Sequence, residues 1–242
     1  MSSTKETIRH EMNMIAPARD DMIRKNSYYY KRLIRFLKRN IPEQASVIEI
    51  GCGTGHFLRH LKPSRGVGID FSSGMIRIAR DQNPEIEFHE MDAEEITLDE
   101  KFDFVILSDT IGYLEDVQKA FESILSLCHS ETRFFITYIN FLWLPVLRLA
   151  EFLGLKMKGS RNNWMNIRDI ANLLEMTGFE EIRSGKMTLL PVGIPLLSDF
   201  VNNYIANLPL FNSLCLMSFI VAKPVHKYSE ELSVSVVVPA RN

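Results

Sequence analysis

The chain has 242 residues, of which 46% are apolar and 24% are charged, as in an ordinary soluble domain with one core and room for a small cap. A formal net charge of −2 gives no electrostatic reason to expect nucleic-acid binding. No apolar run reaches the ~20 residues of a membrane span, and residues 1–20 lack the pattern of a signal peptide. The three scattered cysteines have no metal-ligand spacing, so we expect a cytoplasmic protein without a metal.

The first elements are predicted to be helical. Residues 1–26 are expected to form a mobile arm or a loosely attached helix. A second helix is predicted from Tyr28 to about Arg39, because apolar side chains recur on one face and basic side chains on the other. Pro42 then favours an extended chain and ends this helix.

The most informative stretch runs from Val47 to Leu58. Alternating β-branched residues come first, then the loop Gly51-Cys52-Gly53-Thr54-Gly55, then a helical apolar pattern. This order predicts a strand, a tight turn and a helix, which open a βαβ unit. Glycine lets the backbone approach a ligand closely, and the following helix N-terminus favours a carboxylate or phosphate. NAD-binding folds use a similar loop, but with the spacing Gly-x-Gly-x-x-Gly.

The spacing Gly-x-Gly-x-Gly, with Glu49 two residues before it, resembles the first motif of class I S-adenosylmethionine-dependent methyltransferases. The resemblance extends from about Tyr28 to Lys223. It implies an α/β, Rossmann-like fold, with a seven-stranded, mostly parallel sheet flanked by helices. It also implies S-adenosyl-L-methionine as cofactor, S-adenosyl-L-homocysteine as product, and Tyr28 or Tyr29 closing over the methionine end.

The second strand, predicted from Gly66 to Asp70, places an acid at its C-terminal end. Strand ends form the ligand crevice of an open parallel sheet, and an acid there can accept hydrogen bonds from both ribose hydroxyls. NAD-binding folds also place an acid here, so Asp70 supports a nucleoside ligand without choosing which. Phe71 is placed to lie against the adenine, and the next helix carries Met75.

Two further strand ends extend the resemblance. After the third strand, Ile86 to His89, it implies that Asp92 meets the adenine amino group and that the Ala93 amide meets a ring nitrogen. After the fourth strand, Phe102 to Leu107, it implies a segment beside the methyl group. The residues predicted to bind the cofactor are Tyr28, Glu49, Gly51, Cys52, Gly53, Thr54, Gly55, His56, Asp70, Phe71, Met75, Met91, Asp92, Ala93, Ser108, Asp109 and Thr110.

No single residue is predicted to be catalytic. The sulfonium of the cofactor is already activated, so positioning of the acceptor can suffice. A hydroxyl or ammonium acceptor would also need its proton removed. The nominal candidates for that base are His56, Asp109, Tyr113 and His129.

The C-terminal half departs from the family pattern. Phe141–Leu155 is predicted to be an apolar helix interrupted by Pro145. Residues 185–213 lie between the predicted strands Phe179–Ser184 and Leu214–Ala222, where the family usually has a short hairpin. We predict that they form a helical cap insertion, with Leu189–Leu210 over the mouth of the site. The alternative is a packing or dimer surface, so the chain is expected to be a monomer or a homodimer.

Residues 27–224 are thus predicted to be a methyltransferase domain, and residues 225–242 a linker followed by the start of a second domain. Leu232–Asn242 resembles the opening strand of family-two, nucleotide-sugar-dependent glycosyltransferases, which predicts covalent fusion to such a domain. A stray terminal strand is the alternative.

The predicted function is methyl transfer to a small-molecule acceptor that is apolar, lipid-linked or glycan-related. Peripheral membrane contact is compatible with this prediction, whereas a nucleic-acid acceptor is not expected because no basic groove with interleaved aromatics is readable. Two alternatives stay open. One is a non-catalytic S-adenosylmethionine-binding or scaffold domain of a multidomain glycosyltransferase. The other is an NAD(P)-dependent dehydrogenase, disfavoured by the glycine spacing and by the lack of a Tyr-x-x-x-Lys pair.

Overall fold

The computed structural model describes residues 4–154 and 165–225. Its strands are β1 (Ser46–Ile50), β2 (Arg65–Asp70), β3 (Glu87–Glu90), β4 (Phe102–Ser108), β5 (Cys128–Ile139), β6 (Phe179–Met187) and β7 (Met217–Pro224). Its α-helices are α1 (Thr4–Ile15), α2 (Arg19–Lys25), α3 (Ser27–Asn40), α4 (His56–Leu61), α5 (Ser73–Gln82), α6 (Val117–Leu125), α7 (Leu144–Phe152), α8 (Ile167–Met176), α9 (Leu197–Asn203) and α10 (Pro209–Ser213). The glycosyltransferase-like pattern at 232–242 lies outside the described residues.

These strands form one sheet in the order β3-β2-β1-β4-β5-β7-β6. All neighbours run parallel except β7, which is antiparallel to both β5 and β6. The strand order reverses between β1 and β4, and ligands of open α/β sheets bind at the carboxyl ends of the strands at such a point. The predicted class I methyltransferase fold is confirmed.

Helices cover both faces of the sheet. Leu33 of α3, Leu58 of α4 and Ile76 of α5 pack on one face, while Phe121 of α6 and Leu174 of α8 pack on the other. All five side chains are essentially buried. Double coverage explains why the central strands read as nearly continuous apolar runs, since a parallel sheet must hide both faces from water.

The N-terminal segment was expected to be a mobile arm or a loosely attached helix, and from residue 4 onward it forms helices that pack on the domain. Ile8, Ala16 and Ile23 are buried, and α1 packs against α5. The Asn13 side chain accepts a hydrogen bond from the Gly74 backbone N–H at 2.9 Å, in the first turn of α5. Apolar residues at helical spacing along α1 need a partner surface, and helix α5 provides it.

The C-terminal half has helices after β5 and between β6 and β7. Pro145 does not interrupt a longer helix: it lies in the first turn of α7, after a 3-10 turn at Phe141–Trp143, where a missing N–H is tolerated. Between β6 and β7 the chain is helical, with α9, a 3-10 turn at Ile205–Asn207 and α10. Within the described part of the chain, no helix combines the length and apolarity needed to cross a bilayer.

Candidate active site

A cavity of about 490 Å³ lies at the carboxyl ends of the central strands, which is within the usual range for small-molecule sites. Eleven of the predicted cofactor residues line it. They are Gly51, Gly53, Asp70, Phe71, Met75, Met91, Asp92, Ala93, Ser108, Asp109 and Thr110. The other six, Tyr28, Glu49, Cys52, Thr54, Gly55 and His56, do not.

The glycine loop owes its shape to three left-handed residues. Gly51, Gly53 and Gly55 have φ angles of +73°, +54° and +75°, which other residues adopt at a cost. A Cβ on Gly51 would lie 2.4 Å from the Thr110 Oγ1 atom, and one on Gly55 would lie 2.6 Å from the Phe88 ring. A Cβ on Gly53 would meet only the side chain of Arg19, at 3.9 Å. Gly51 and Gly55 are therefore needed for packing, whereas Gly53 leaves the cavity open above the loop.

Asp70 ties the loop to the end of β2. Its Oδ2 atom accepts the Gly53 backbone N–H and its Oδ1 atom accepts the Ser72 backbone N–H, both at 2.9 Å. Burial raises the pKa of Asp70, while the two amide hydrogen bonds and the positive charge of Arg19 act in the opposite direction. An ionised carboxylate offers about four acceptor positions, so this side chain can hold the loop and still bind ligand hydroxyls.

The opposite wall is held by an ion-pair cluster. The Lys5 ammonium lies 2.6 Å from Asp92 and 2.8 Å from Glu94. Glu94 is buried and also accepts the backbone N–H groups of Glu115 and Asp116. The Asp92 carboxylate is therefore engaged by Lys5 at the edge of the cavity.

The N-terminal helices complete the site, which the sequence did not indicate. Their lining residues are Lys5, Met12, Ile15, Arg19, Met22 and Asn26. The Thr54 hydroxyl donates to Asp20 at 2.7 Å and so fastens α2 to the glycine loop. The Arg19 guanidinium lies 5.9 Å from the centre of the Tyr30 ring, within cation–π range. The spacing of Ile8, Met12 and Ile15 is the one signal that α1 would pack inward.

Tyr28 is placed differently from the prediction. Its hydroxyl donates to Asp199 at 3.0 Å and accepts from Asn202 at 3.1 Å, both in α9. Successive side chains of a helix diverge by about 100°, and it is Tyr29 and Tyr30 that line the cavity. The Tyr29 hydroxyl donates to the Oδ2 atom of Asp109 at 2.5 Å.

Glu49, Cys52 and His56 support the loop from behind. Burial raises the pKa of Glu49 well above its ordinary value, and a hydrogen bond from the Leu58 backbone only partly opposes this. Burial likewise raises the pKa of the Cys52 thiol. The pKa of His56 is lowered to about 4, first by burial and then by its neighbour His60. A neutral His56 packs edge-on against Tyr30, with ring centres 5.6 Å apart.

The candidates for the residue that removes the acceptor's proton differ in their distance from the cavity. Asp109 and Tyr113 line the cavity. His129 lies near the start of β5, where its Nε2 atom is 3.3 Å from Asp103 at the start of β4. Both residues lie at the amino ends of the strands, whereas the cavity lies at the carboxyl ends. His129 is therefore too remote to take a proton from a molecule in the cavity.

One part of the cavity is apolar. Its lining residues come from the 3-10 turn before α7, from α7, from the residues before α9 and from the residue before β7. They are Trp143, Val146, Leu147, Ala150, Leu190, Pro191, Val192 and Leu216. Val146 and Val192 are also 51% and 53% exposed. Because the same side chains line the cavity and face solvent, they mark its mouth.

Comparison with known proteins agrees with this geometry. A protein family described as a methyltransferase domain matches residues 22–184, about two thirds of the chain. The chain belongs to the class I S-adenosylmethionine-dependent methyltransferases. The predicted family and cofactor are thereby confirmed, and the dehydrogenase alternative falls.

Curated relatives match only part of this chain. A dTDP-3-amino-3,6-dideoxy-alpha-D-glucopyranose N,N-dimethyltransferase of Streptomyces fradiae is 36% identical over 85 residues, 34% of this chain and 33% of that protein. A malonyl-[acyl-carrier protein] O-methyltransferase of Bacillus cereus is 32% identical over 100 residues, 38% and 37% of the two chains. The chain thus spans about a third of the length of these two relatives.

Solved structures share the fold over nearly the whole length. An S-adenosylmethionine-dependent methyltransferase of Thermotoga maritima superposes with a TM-score of 0.70 at 17% identity, covering 89% of this chain and 99% of that one. Magnesium protoporphyrin IX methyltransferase of Synechocystis, solved with bound S-adenosylhomocysteine, gives 0.63 at 19% identity, with 92% and 100% covered. Identities this low establish the fold alone.

Proposed function

We propose that this methyltransferase methylates a small molecule whose apolar part occupies the apolar end of the cavity. The observation that carries the proposal is that one cavity joins the loop of Gly51, Gly53 and Asp70 to the apolar walls of Val146 and Val192. The relatives named above are an N,N-dimethyltransferase of a dTDP-linked amino sugar and an O-methyltransferase of malonyl-[acyl-carrier protein]. The acceptor groups of these relatives differ in chemistry but are both small, which supports a small acceptor group for this chain. The kind of acceptor is therefore argued from the residues that line the cavity.

The polar end fits S-adenosylmethionine. Asp70 would take the ribose hydroxyls on its remaining acceptor positions, and Phe71 would lie against the adenine. Asp92 and the Ala93 amide would meet the edge of the ring. Arg19, whose guanidinium carries a permanent charge beside the glycine loop, would hold the carboxylate of the methionine part.

The chain's own groups then position the acceptor and take its proton. When bound, the cofactor supplies a methyl group on a positively charged sulfur, so alignment of the acceptor can supply about 7–11 kcal/mol of rate acceleration. Asp109 has a left-handed backbone, with φ of +55°, and its carboxylate holds the Tyr29 hydroxyl at 2.5 Å. We assign Asp109 to accept the proton that a hydroxyl acceptor loses as it attacks, or that an ammonium acceptor must lose before its amine can attack, with Tyr29 fixing the orientation of the carboxylate.

The acceptor is proposed to be apolar, lipid-linked or glycan-related. The side chains that line the apolar end offer no charge and only one polar atom, the Trp143 indole N–H, which donates to the Leu214 backbone carbonyl at 2.7 Å. A wholly polar acceptor would lose its hydration there without gaining partners. Leu190, Pro191 and Val192 form one wall of this end, which supports a role for segment 189–210 as a substrate cap.

The test is formation of S-adenosylhomocysteine over a panel of water-soluble acceptors with and without a short alkyl chain. Val192→Asp should lower kcat/KM for alkylated acceptors by at least about tenfold, because a charge in an apolar wall costs more than 1.4 kcal/mol. Ile194→Asp is the matched control, since Ile194 is 46% exposed in the same segment but does not line the cavity. Equal effects of the two variants would remove the apolar-acceptor proposal. Intact S-adenosylhomocysteine binding without turnover on any acceptor would favour the scaffold alternative.

A further inference from the structure

The mouth of the cavity opens within an unusually apolar surface, which we call the apolar face. It consists of the exposed side chains of residues 141–154 and 188–214. Phe152, Leu196 and Leu210 are exposed over 83%, 89% and 73% of their area. The two segments meet at the Trp143–Leu214 hydrogen bond and at Val146 and Val192, which line the mouth together. Large contiguous apolar patches on a protein surface mark binding sites.

Charge is nearly absent from the apolar face. Arg148, Glu151 and Asp199 are the only charged residues in its two segments. The Asp199 carboxylate accepts a hydrogen bond from the Tyr28 hydroxyl, which satisfies one of its acceptor positions within the protein. Lipid tails can therefore contact this face without desolvating many ions.

The border of the face is positively charged. Helix α3 contains five lysines and arginines and no acid, and Arg32 reaches α9 by donating to the Asn203 side chain at 3.3 Å. Lys31 and Arg35 are exposed on the same helix. Lys186 donates to the Ser213 backbone carbonyl at the end of α10. Among the described residues none of these four cations has a carboxylate partner, so their charge is available to an anionic surface.

The position of the mouth distinguishes between occupants. A second copy of the chain, or a folded partner protein, would close the opening at Val146 and Val192 through which an acceptor must enter. A lipid surface covers the same face and can also deliver the acceptor. An apolar patch bordered by lysine and arginine is the pattern of proteins that lie in a membrane interface.

We infer that the apolar face docks on an anionic bilayer, with the cavity mouth toward the lipid, and that a lipid-linked acceptor enters from the bilayer. The source of the acceptor rests on the proposed function. Docking itself does not, because it depends only on the face and its basic border.

The test is co-sedimentation of the full chain with phosphatidylcholine vesicles and with vesicles containing phosphatidylglycerol. We expect binding to the anionic vesicles that weakens as salt is added, because charge attracts the basic border to the headgroups. Lys31→Ser and Arg35→Ser should each lower the partition coefficient by about fivefold, the factor that corresponds to ~1 kcal/mol per charge. Leu196→Glu combined with Leu210→Glu should abolish binding.

Met176→Glu is the matched control. Met176 is 67% exposed, but it lies on α8, against the opposite face of the sheet. All variants should keep the affinity of the wild-type chain for S-adenosylhomocysteine, which separates loss of docking from failure to fold or to bind cofactor. Docking is overturned if the wild-type chain does not sediment with anionic vesicles at low salt. It is also overturned if Met176→Glu weakens binding as much as the double variant Leu196→Glu, Leu210→Glu, which we call the cap variant. A wild-type dimer that dissociates in the cap variant, without vesicle binding, would instead identify a second copy as the occupant.

Discussion

Replacing Asp70 by alanine separates the two tasks that the structure gives this side chain. In the free protein its two oxygens accept the backbone N–H groups of Gly53 and Ser72. In the complex we expect its remaining acceptor positions to bind the ribose. The variant should therefore lose both loop stability and cofactor affinity.

The two losses can be estimated from the contacts. An unsatisfied buried donor costs about 1–3 kcal/mol. Gly53 lines the cavity, so water can replace the carboxylate at its N–H group, whereas Ser72 is fully buried. The loss of stability should therefore be about 1–3 kcal/mol, mainly from the Ser72 N–H group. A hydrogen bond to a charged group contributes about 1.5–3 kcal/mol. Losing one such bond from the ribose corresponds to a weakening of binding by about ten- to a hundredfold.

The assay is isothermal calorimetry with S-adenosylhomocysteine, combined with urea unfolding of the ligand-free protein. Asp103→Ala is the control, because Asp103 also accepts a backbone N–H, from Ser46 at 2.9 Å, but at the amino ends of the strands, away from the cavity. It should lower stability and leave affinity unchanged. Unchanged affinity in Asp70→Ala would show that this carboxylate does not touch the ligand, and the assignment of the polar end would fail.

Three further predictions follow from single features of the site. Gly53→Val should abolish calorimetric binding of S-adenosylhomocysteine, because a β-branched residue resists the φ of +54° at position 53 and its side chain would project toward the cavity. The control Gly154→Val, at φ +69° with open space around it, should retain binding. Asp109→Asn keeps an oxygen that can accept from Tyr29 but cannot take a proton, so kcat should fall by about 10²–10⁴ with cofactor affinity retained; an unchanged kcat would exclude Asp109 as the base. The folded-state pKa of His56 is about 4, against 6.5 for the unfolded side chain, so the unfolded chain binds a proton first and stability should fall as pH drops from 6.5 toward 4. Urea unfolding of His56→Gln should show a flatter profile over that window, and an identical profile would contradict the buried position of this ring.

Local patterns in the sequence indicated the strands and the residues at their ends, and the family resemblance implied the fold that joins them. Parallel strands are buried on both faces and so read as apolar runs, and their carboxyl ends meet at one edge of the sheet. Once the strands around Gly51, Asp70 and Asp92 were recognised, their proximity followed from topology. The helical insertion between β6 and β7 was predictable in the same way, from its length and its apolar composition.

The rest of the site depends on contacts between distant parts of the chain. Lys5 pairs with Glu94 across 89 positions of sequence, and nothing in either neighbourhood specifies the other. Whether Tyr28 or Tyr29 faces the cavity depends on a rotation of about 100°, the angle between successive residues of a helix. In α3, Tyr28 contacts α9 and Tyr29 contacts Asp109 at the cavity. Because both tyrosines have a contact, hydrophobic periodicity could not decide which of them faces the cavity.

The central claim is that one cavity binds S-adenosylmethionine at the glycine loop and an acceptor with an apolar part at the mouth. The most direct measurement is S-adenosylhomocysteine formation with matched acceptors that carry the same nucleophile, with and without an alkyl chain, presented on anionic vesicles. The alkylated acceptor should turn over faster, and Val192→Asp should remove its advantage while the affinity for S-adenosylhomocysteine stays unchanged. Equal turnover of both acceptors by the wild-type chain, unaffected by Val192→Asp, would contradict the account.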